Sequence, residues 1–222
     1  MKLRFCICLF VLSFQSTSVS AALLTVHETL SDFESAVSTP ISVQDFESFA
    51  SGTDLSGLDV LGGTSVTSNG DELTAFQSAD GNTSMFALGR SGRDLVYDIE
   101  LASGINAFAL DIGSFESDGA DSTAPADSPG LLSVLFADSS SQVIELFGNP
   151  LGEAIFVGLT SNVDISRITW AETREASGIG SEETTLDNFR QASNNVSFVT
   201  EPIYFVYFGI LLMALSPLGR KA

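Results

Sequence analysis

The sequence has few of the residue types that most catalytic and metal sites use. Its only two cysteines, Cys6 and Cys8, both lie near the start of the chain. The rest of the chain therefore cannot contain a disulfide, a thiolate nucleophile or a cysteine-ligated zinc ion. His27 is the only histidine, so a His-rich metal site is excluded and a Ser-His-Asp triad would have to use this one residue.

Basic residues are scarce as well. Between Ala22 and Glu201 there are five arginines, no lysine and all 28 acidic residues of the chain, which gives this part a formal charge of −23. Contacts to nucleic-acid phosphates need a basic surface, so we do not expect the protein to bind nucleic acid. Such a charge favours solubility and the binding of divalent cations.

Long apolar runs occur only at the two ends of the chain. The first, Phe5 to Phe14, follows two basic residues and precedes a stretch of small and polar residues. These are the three parts of a secretory signal peptide, and the run is shorter than the ~20 residues of a membrane-spanning helix. We predict a signal peptide over residues 1–21, cleaved by signal peptidase after Ala21 or Ala22.

The second run, Ile203 to Leu218, is uncharged and is followed by Arg220 and Lys221. Basic residues that flank a membrane span tend to stay in the cytoplasm, which would leave the preceding domain on the opposite side. Apart from Ser216 near its end, the run has no strongly polar residue and therefore lacks the amphipathic face that a core helix would have. We therefore predict a transmembrane helix over residues 203–218, with a core helix or strand as the alternative. Residues 22–199 are then long enough for one acidic domain.

The C-terminal residues 200–222 resemble a PEP-CTERM sorting signal, which combines a Pro-Glu-Pro triplet, an apolar helix and a terminal basic cluster. Glu201 and Pro202 match the triplet, and Thr200 replaces its first proline. The resemblance implies export across the inner membrane, a membrane-anchored precursor and processing by an exosortase-like protease. The protein would then lie in the cell envelope or the extracellular matrix. A plain single-span anchor is the alternative.

The middle of the chain predicts one short helix followed by many strands. Residues 29–37 place apolar side chains at helical spacing, and Ser31 with Glu34 would form a capping box. Short strand-like segments separated by turn residues follow at a spacing of ~10 residues, which is typical of a β-sandwich. We place them at 41–46, 60–67, 72–76, 84–88, 94–99, 105–112, 131–136, 143–146, 154–159, 165–171 and 184–189.

The order of several short motifs along this region is similar to that of jelly-roll carbohydrate-binding modules. The motifs include Asp45-Phe46-Glu47, Ala107 to Gly113 and Leu186-Asp187-Asn188-Phe189. The resemblance implies an all-β, jelly-roll type β-sandwich with one short N-terminal helix, besides the C-terminal transmembrane helix. It also implies a structural calcium ion held by Glu47 and Asp187, to which Asp71 or Glu72 could add a ligand.

Two further candidate sites come from the residues themselves. The acidic loop Glu116 to Asp121 is a second cation candidate, although it lacks the spacing of an EF-hand loop. Trp170 and Tyr97 are the only Trp and Tyr between the two ends, so they are candidates either for stacking on a sugar or for the hydrophobic core.

Three functional hypotheses follow. The first is a non-enzymatic envelope or matrix protein that is sorted through its C-terminal tail. The second is a carbohydrate-binding module for extracellular polysaccharide. The third and least favoured is a glycoside hydrolase, because 28 acidic residues single out no opposed pair of carboxylates.

Overall fold

The protein was analysed as a computed structural model, which describes residues 22–89, 94–113, 130–148, 153–172 and 183–193. These residues form one helix and thirteen strands. In chain order they are β1 Leu24–His27, α1 Leu30–Ala36, β2 Ser42–Gln44, β3 Asp59–Leu61, β4 Thr64–Ser68, β5 Thr74–Gln77, β6 Thr83–Leu88, β7 Leu95–Glu100, β8 Ala107–Gly113, β9 Gly130–Phe136, β10 Ser141–Leu146, β11 Ile155–Ser161, β12 Ile165–Glu172 and β13 Glu183–Ala192.

Each of the eleven predicted strand segments overlaps a strand of the structure. Residues 60–67 were predicted as one strand but form the β3–β4 hairpin, because Gly62 and Gly63 turn the chain with φ of 52° and 92°. Positive φ at two successive residues is readily available only to glycine. β1 was not among the predicted strands; it pairs with β11 at the edge of a sheet.

The strands form two antiparallel sheets. The front sheet has the order β1-β11-β8-β13-β6-β5, with β2 also paired to β13, and the back sheet has the order β10-β9-β12-β7-β4-β3. From β6 onwards the chain crosses between the sheets at every connection except the β9–β10 hairpin, and β6 pairs with β13, the last strand. Eight strands connected in this way form a jelly roll, which confirms the predicted class of the β-domain.

One hydrophobic core joins the two sheets. Phe108 and Phe189 from the front sheet and Trp170 and Tyr97 from the back sheet are all fully buried in it. Gly130 lies against the Trp170 ring, where an added Cβ would come within 2.0 Å of the ring carbon Cη2. The tight packing around Trp170 therefore requires a residue without a side chain at position 130.

Tyr97 also links the sheets through its hydroxyl group. It donates a hydrogen bond to the carbonyl oxygen of Thr184 at 2.5 Å and accepts one from the amide of Ala87 at 2.9 Å. Burial raises the pKa of this phenol well above its usual value. The hypothesis that Tyr97 and Trp170 stack on a sugar is wrong, because both side chains lie between the sheets and are out of reach of a polymer.

The helix α1 covers one part of the outer face of the front sheet. Its Phe33 is fully buried against Gly158, and with Val37 it packs on the small side chains of Ala107 and Ala109. The predicted helix is confirmed, but its cap differs from the prediction. Thr29, not Ser31, is the N-cap: its side-chain oxygen accepts a hydrogen bond from the amide of Asp32 at 3.2 Å.

The predicted signal peptide, the triplet Thr200-Glu201-Pro202, the predicted transmembrane helix at 203–218 and the basic pair Arg220-Lys221 lie outside the described residues, as does the acidic loop 116–121. Within the described ranges, no helix has the length and apolar character needed to cross a membrane.

Candidate functional site

The part of the front sheet that α1 leaves uncovered carries an open cleft on its outer face. The cleft has a volume of about 420 Å³, within the roughly 300–1,000 Å³ that is usual for small-ligand sites. It is lined by Phe76, Ser78, Asp80, Asn82, Ser84, Asp111, Gly113, Ala154, Thr185, Asp187 and Asn188. Most of these side chains are polar, so the cleft offers many hydrogen-bonding groups around one aromatic ring.

A β-bulge in β13 brings the central polar groups together. Asp187 pairs with Asp111 of β8, but Arg190 pairs with Ala109, so two residues of β13 oppose one residue of β8. Asn188 lies in this bulge with φ of 51°, a left-handed conformation that Asn tolerates better than most residues. The bulge keeps Phe189 in the core while Asp187 and Asn188 both reach the cleft.

Asp111 and Asp187 are held in place by hydrogen bonds from neighbouring strands and turns. The Asn188 side-chain amide donates to Oδ2 of Asp111 at 2.9 Å, and Nη1 of Arg190 lies 3.7 Å from the same oxygen. The side-chain amide of Asn82 donates to Oδ2 of Asp187 at 3.0 Å, and the backbone N–H of Asn188 donates to Oδ1 of Asp187 at 2.6 Å. These bonds fix the orientation of two neighbouring carboxylates on the same sheet face.

The β5–β6 turn supplies a third carboxylate to the cleft. Oδ1 of Asp80 accepts a hydrogen bond from the hydroxyl of Ser78 and a longer one, 3.4 Å, from the backbone N–H of Asn82. The Ser78 hydrogen bond holds the pKa of Asp80 below its usual value. Asp80 therefore stays ionised at neutral pH and orders the turn that positions Asn82 beside Asp187.

Glu47 approaches this region from the segment after β2. The calcium ion implied by the resemblance requires Glu47 to lie near Asp187, and β2, which precedes Glu47, pairs with β13. Phe46 is fully buried with φ of 58° and packs edge-on against Phe189, with ring centroids 5.2 Å apart. This anchor lets Oε1 of Glu47 accept a hydrogen bond from the amide of Thr83 at 2.8 Å.

Asp187 carries the clearest electrostatic perturbation in the cleft. Burial raises its pKa above the usual value, and the negative charges of Asp111 and Glu47 raise it further, against the lowering effect of the Asn82 and Asn188 hydrogen bonds. The ionised carboxylate of Asp187 is therefore less stable here than in water. A ligand group that donates hydrogen bonds or carries positive charge would stabilise it.

The Phe76 ring forms the wall of the cleft on the side of the edge strand β5. Phe76 is 44% exposed, and its ring packs against that of Phe86 with centroids 5.3 Å apart. Phe86 lines a second open depression of about 530 Å³ together with Asp71, Glu72, Thr74 and Leu88. Asp71 and Glu72, the additional calcium ligands suggested by the sequence, thus line this second depression and not the cleft that contains Asp187.

The arrangement of Glu47 and Asp187 fits a calcium ion poorly. The backbone amide of Thr83 donates to one oxygen of Glu47, and Asn82 and Asn188 each donate to one oxygen of Asp187, so these oxygens have fewer free lone pairs for a metal ion. Calcium takes six to eight oxygen ligands, whereas the described residues contain no group of three His, Cys, Asp or Glu side chains that could hold a metal ion. A calcium ion here stays a prediction from the resemblance.

Sequence reasoning identified Asp187 but missed the residues that make it part of a cleft. Asp111, Asn82 and Phe76 come from three other segments, and only the sheet pairing brings them together. One signal was available: Asn188 is a poor strand former inside an otherwise strand-like segment, and Asn at such a position indicates a bulge.

No family model matches this chain, and no curated protein matches it. Similar solved structures include a variant of CBM29-2, a family 29 carbohydrate-binding module, with a TM-score of 0.40 and 14% identity, covering 74% of this chain and 98% of that chain. The K2 cleaved adhesin domain of Lys-gingipain has a TM-score of 0.38 and 11% identity, covering 69% and 99%. TmCBM61, in complex with β-1,4-galactotriose, has a TM-score of 0.29 and 12% identity, covering 72% and 92%. Values this low leave the function to be inferred from the chain's own residues.

Proposed function

We propose that this protein is an exported, non-catalytic polysaccharide-binding protein of the cell envelope or extracellular matrix. The observation that carries the proposal is the cleft on the front sheet, in which a half-exposed Phe76 ring faces solvent beside Asp111, Asp187 and Asn82. Sugars present apolar C–H faces and many hydroxyl groups. An aromatic ring packs on the C–H face of a sugar, and carboxylate and amide groups form hydrogen bonds with its hydroxyl groups.

The geometry favours binding over cleavage. Glycoside hydrolases place two carboxyl groups on opposite sides of the scissile bond. Asp111 and Asp187 are instead direct neighbours on paired strands and project from the same face of the sheet. Side-chain amides fix the orientation of both carboxylates, and each carboxylate keeps lone pairs that can accept hydrogen bonds from hydroxyl groups of a bound polymer.

The binding test is retention of the chain in native gels that contain single polysaccharides. We expect wild type to be retarded by at least one polymer, and Phe76→Ala to weaken this binding by roughly fivefold or more, since aromatic contacts contribute about 1 kcal/mol or more. Glu145→Gln, an exposed position on the back sheet, is the control and should bind like wild type. Failure of wild type to bind any polymer across a broad panel would contradict the proposal.

The two ends of the chain complete the proposal. Signal peptidase removes residues 1–21, the segment 203–218 holds the precursor in the membrane, and an exosortase-like protease recognises the tail that begins at Thr200. Mass spectrometry of the protein from its native host tests each step. An N-terminus at Ala22 or Leu23 supports export, and a C-terminus near Glu201 supports sorting. A mature protein that still ends at Ala222 would indicate that the tail is a plain membrane anchor and not a cleaved sorting signal.

A further inference from the structure

Negative charge dominates the cleft and its surroundings. Asp80, Asp111 and Asp187 line it, and Glu47 lies close enough to affect the ionisation of Asp187. No basic side chain is among its lining residues in the described part of the chain. A ligand that enters the cleft therefore meets three carboxylates and the neutral amides and hydroxyls between them.

The nearest described arginine is already held by other groups. The Arg190 guanidinium lies over the ring of Phe156, 5.6 Å from its centroid, and Nη1 donates to the carbonyl oxygen of Asn188 at 2.9 Å. Its side chain is only 13% exposed and lies near Asp111. Arg190 is thus unable to turn toward an anionic sugar without giving up several contacts.

The other described arginine is far from the cleft in the fold. Arg167 lies on β12 of the back sheet and forms an exposed ion pair with Glu100 of β7. Asp187, in contrast, receives its hydrogen bonds from the neutral groups of Asn82 and Asn188, while its charged neighbours Asp111 and Glu47 repel it. The cleft therefore contains negative charge that an incoming cation can neutralise.

From this geometry, and resting on the proposed function, we infer that the cleft selects polysaccharides whose sugars carry free amino groups. An ammonium group donates charge-assisted hydrogen bonds to carboxylates. Such hydrogen bonds are roughly twice as strong as those between neutral partners. A uronate or sulfate group would be repelled by the same carboxylates. Phe76 packs on the sugar ring, and Asp187 with Asp111 binds the amino group.

The test compares oligosaccharides of equal length by calorimetry with the full chain purified in detergent. The probes are glucosamine, N-acetylglucosamine and galacturonate oligomers, in ~150 mM salt so that long-range attraction to the acidic surface is screened. We expect the glucosamine oligomer to bind at least about tenfold more tightly than its acetylated form, and the galacturonate oligomer not to bind. Tenfold corresponds to a difference of about 1.4 kcal/mol.

Charge-neutralising variants locate the effect. Asp187→Asn and Asp80→Asn should each reduce the preference for the amino form by about threefold or more. Glu145→Gln removes the same charge from the back sheet and should leave the preference unchanged. A loss of equal size in Glu145→Gln would show a general attraction between a polycation and an acidic protein, and would overturn the inference.

The remaining outcomes separate the inference from the proposed function. Equal binding of the amino and acetylated oligomers overturns the inference and leaves polysaccharide binding intact. Tighter binding of the galacturonate oligomer overturns the inference in the same way. If no carbohydrate binds, the proposed function fails and the inference fails with it.

Discussion

At the scale of single residues, the cleft contains an ionised group that opposes folding. Burial and the charges of Asp111 and Glu47 raise the pKa of Asp187 above the value it has in an unfolded chain. Between the unfolded and the folded pKa, the folded protein binds more protons than the unfolded one. The free energy of unfolding therefore falls as the pH rises through this window, and the loss persists at neutral pH.

Asp187→Asn should remove this loss. The variant has one oxygen for the two donors Asn82 and Asn188, so it loses one hydrogen bond at every pH. Apart from that constant loss, we expect a pH-dependent difference in favour of the variant that reaches up to about 1 kcal/mol at pH ~7 after allowance for solvent screening, or roughly 2–4 °C in Tm. The difference should shrink toward pH ~3, where the carboxyl group is protonated in both states. Thermal unfolding of both proteins across this pH range measures it.

Asp138 provides a contrast of opposite sign. It is exposed in the β9–β10 turn, and the hydrogen bond from the Ser140 hydroxyl holds its pKa below the usual value. Its ionised form therefore favours folding, and Asp138→Asn should not stabilise the protein at neutral pH. Equal stabilisation by both substitutions would reflect the reduced net charge alone and would contradict the local account of Asp187.

The single hydroxyl group of Tyr97 joins the back sheet to the front sheet. Tyr97→Phe leaves the amide of Ala87 and the carbonyl of Thr184 without their partner in the core. A buried polar group without a hydrogen bond costs about 1–3 kcal/mol. We expect a matching loss in urea unfolding and unchanged polysaccharide affinity below the transition. A change in affinity without a change in stability would restore Tyr97 as a ligand residue.

At the scale of elements, the bulge in β13 separates two tasks of one strand. Leu186 and Phe189 fill the core on either side of it, and Asp187 and Asn188 face the cleft. A regular strand alternates its side chains between the two faces, so it could not place consecutive polar residues on one face and keep both apolar neighbours inside. The extra residue makes this arrangement possible.

Substitutions of Asn188 test the bulge. Asn188→Val should destabilise the domain by roughly 1–2 kcal/mol, because a β-branched residue is strained at φ of 51°. Asn188→Gly keeps the conformation but removes the amide that bonds to Asp111. We therefore expect Gly to retain more stability than Val in thermal unfolding, and both to bind polysaccharide more weakly. If Val is tolerated as well as Gly, the left-handed conformation is not required at this position.

At the scale of the whole molecule, the excess of acidic residues acts on stability through mutual repulsion. Five arginines against 28 acidic residues between Ala22 and Glu201 leave a large uncompensated charge. Salt screens such repulsion, and the Debye length falls from ~30 Å at 0.01 M to ~3 Å at 1 M. The molecule should therefore be more stable in salt than in dilute buffer.

We expect Tm to rise between ~10 mM and ~500 mM NaCl, and CaCl₂ at matched ionic strength to raise it by the same amount. An additional rise with calcium that a chelator reverses, and that Glu47→Gln abolishes, would instead establish the calcium ion implied by the resemblance. A Tm that is independent of salt would show that the charges do not destabilise the fold.

The amino-acid sequence by itself determined the positions of most strands and of the helix, but not β1 or the division between β3 and β4. Apolar alternation and turn residues are local signals, so segments such as Ile165 to Ala171 were recognisable without their partners. Two local features were predicted incorrectly. The turn at Gly62-Gly63 was predicted as part of one continuous strand. Ser31 was predicted as the helix N-cap in place of Thr29, since both side chains can cap a helix.

Tertiary structure alone decided which residues line the cleft. The same aromatic side chain serves a core or a binding surface, and strand pairing buried Trp170 and Tyr97 while it left Phe76 exposed. The cleft joins residues more than 100 positions apart, such as Asn82 and Asp187, and no local pattern encodes that distance. Sheet order and register are set by packing over the whole chain. They decide which side chains become neighbours on one face of the sheet, and local sequence patterns do not.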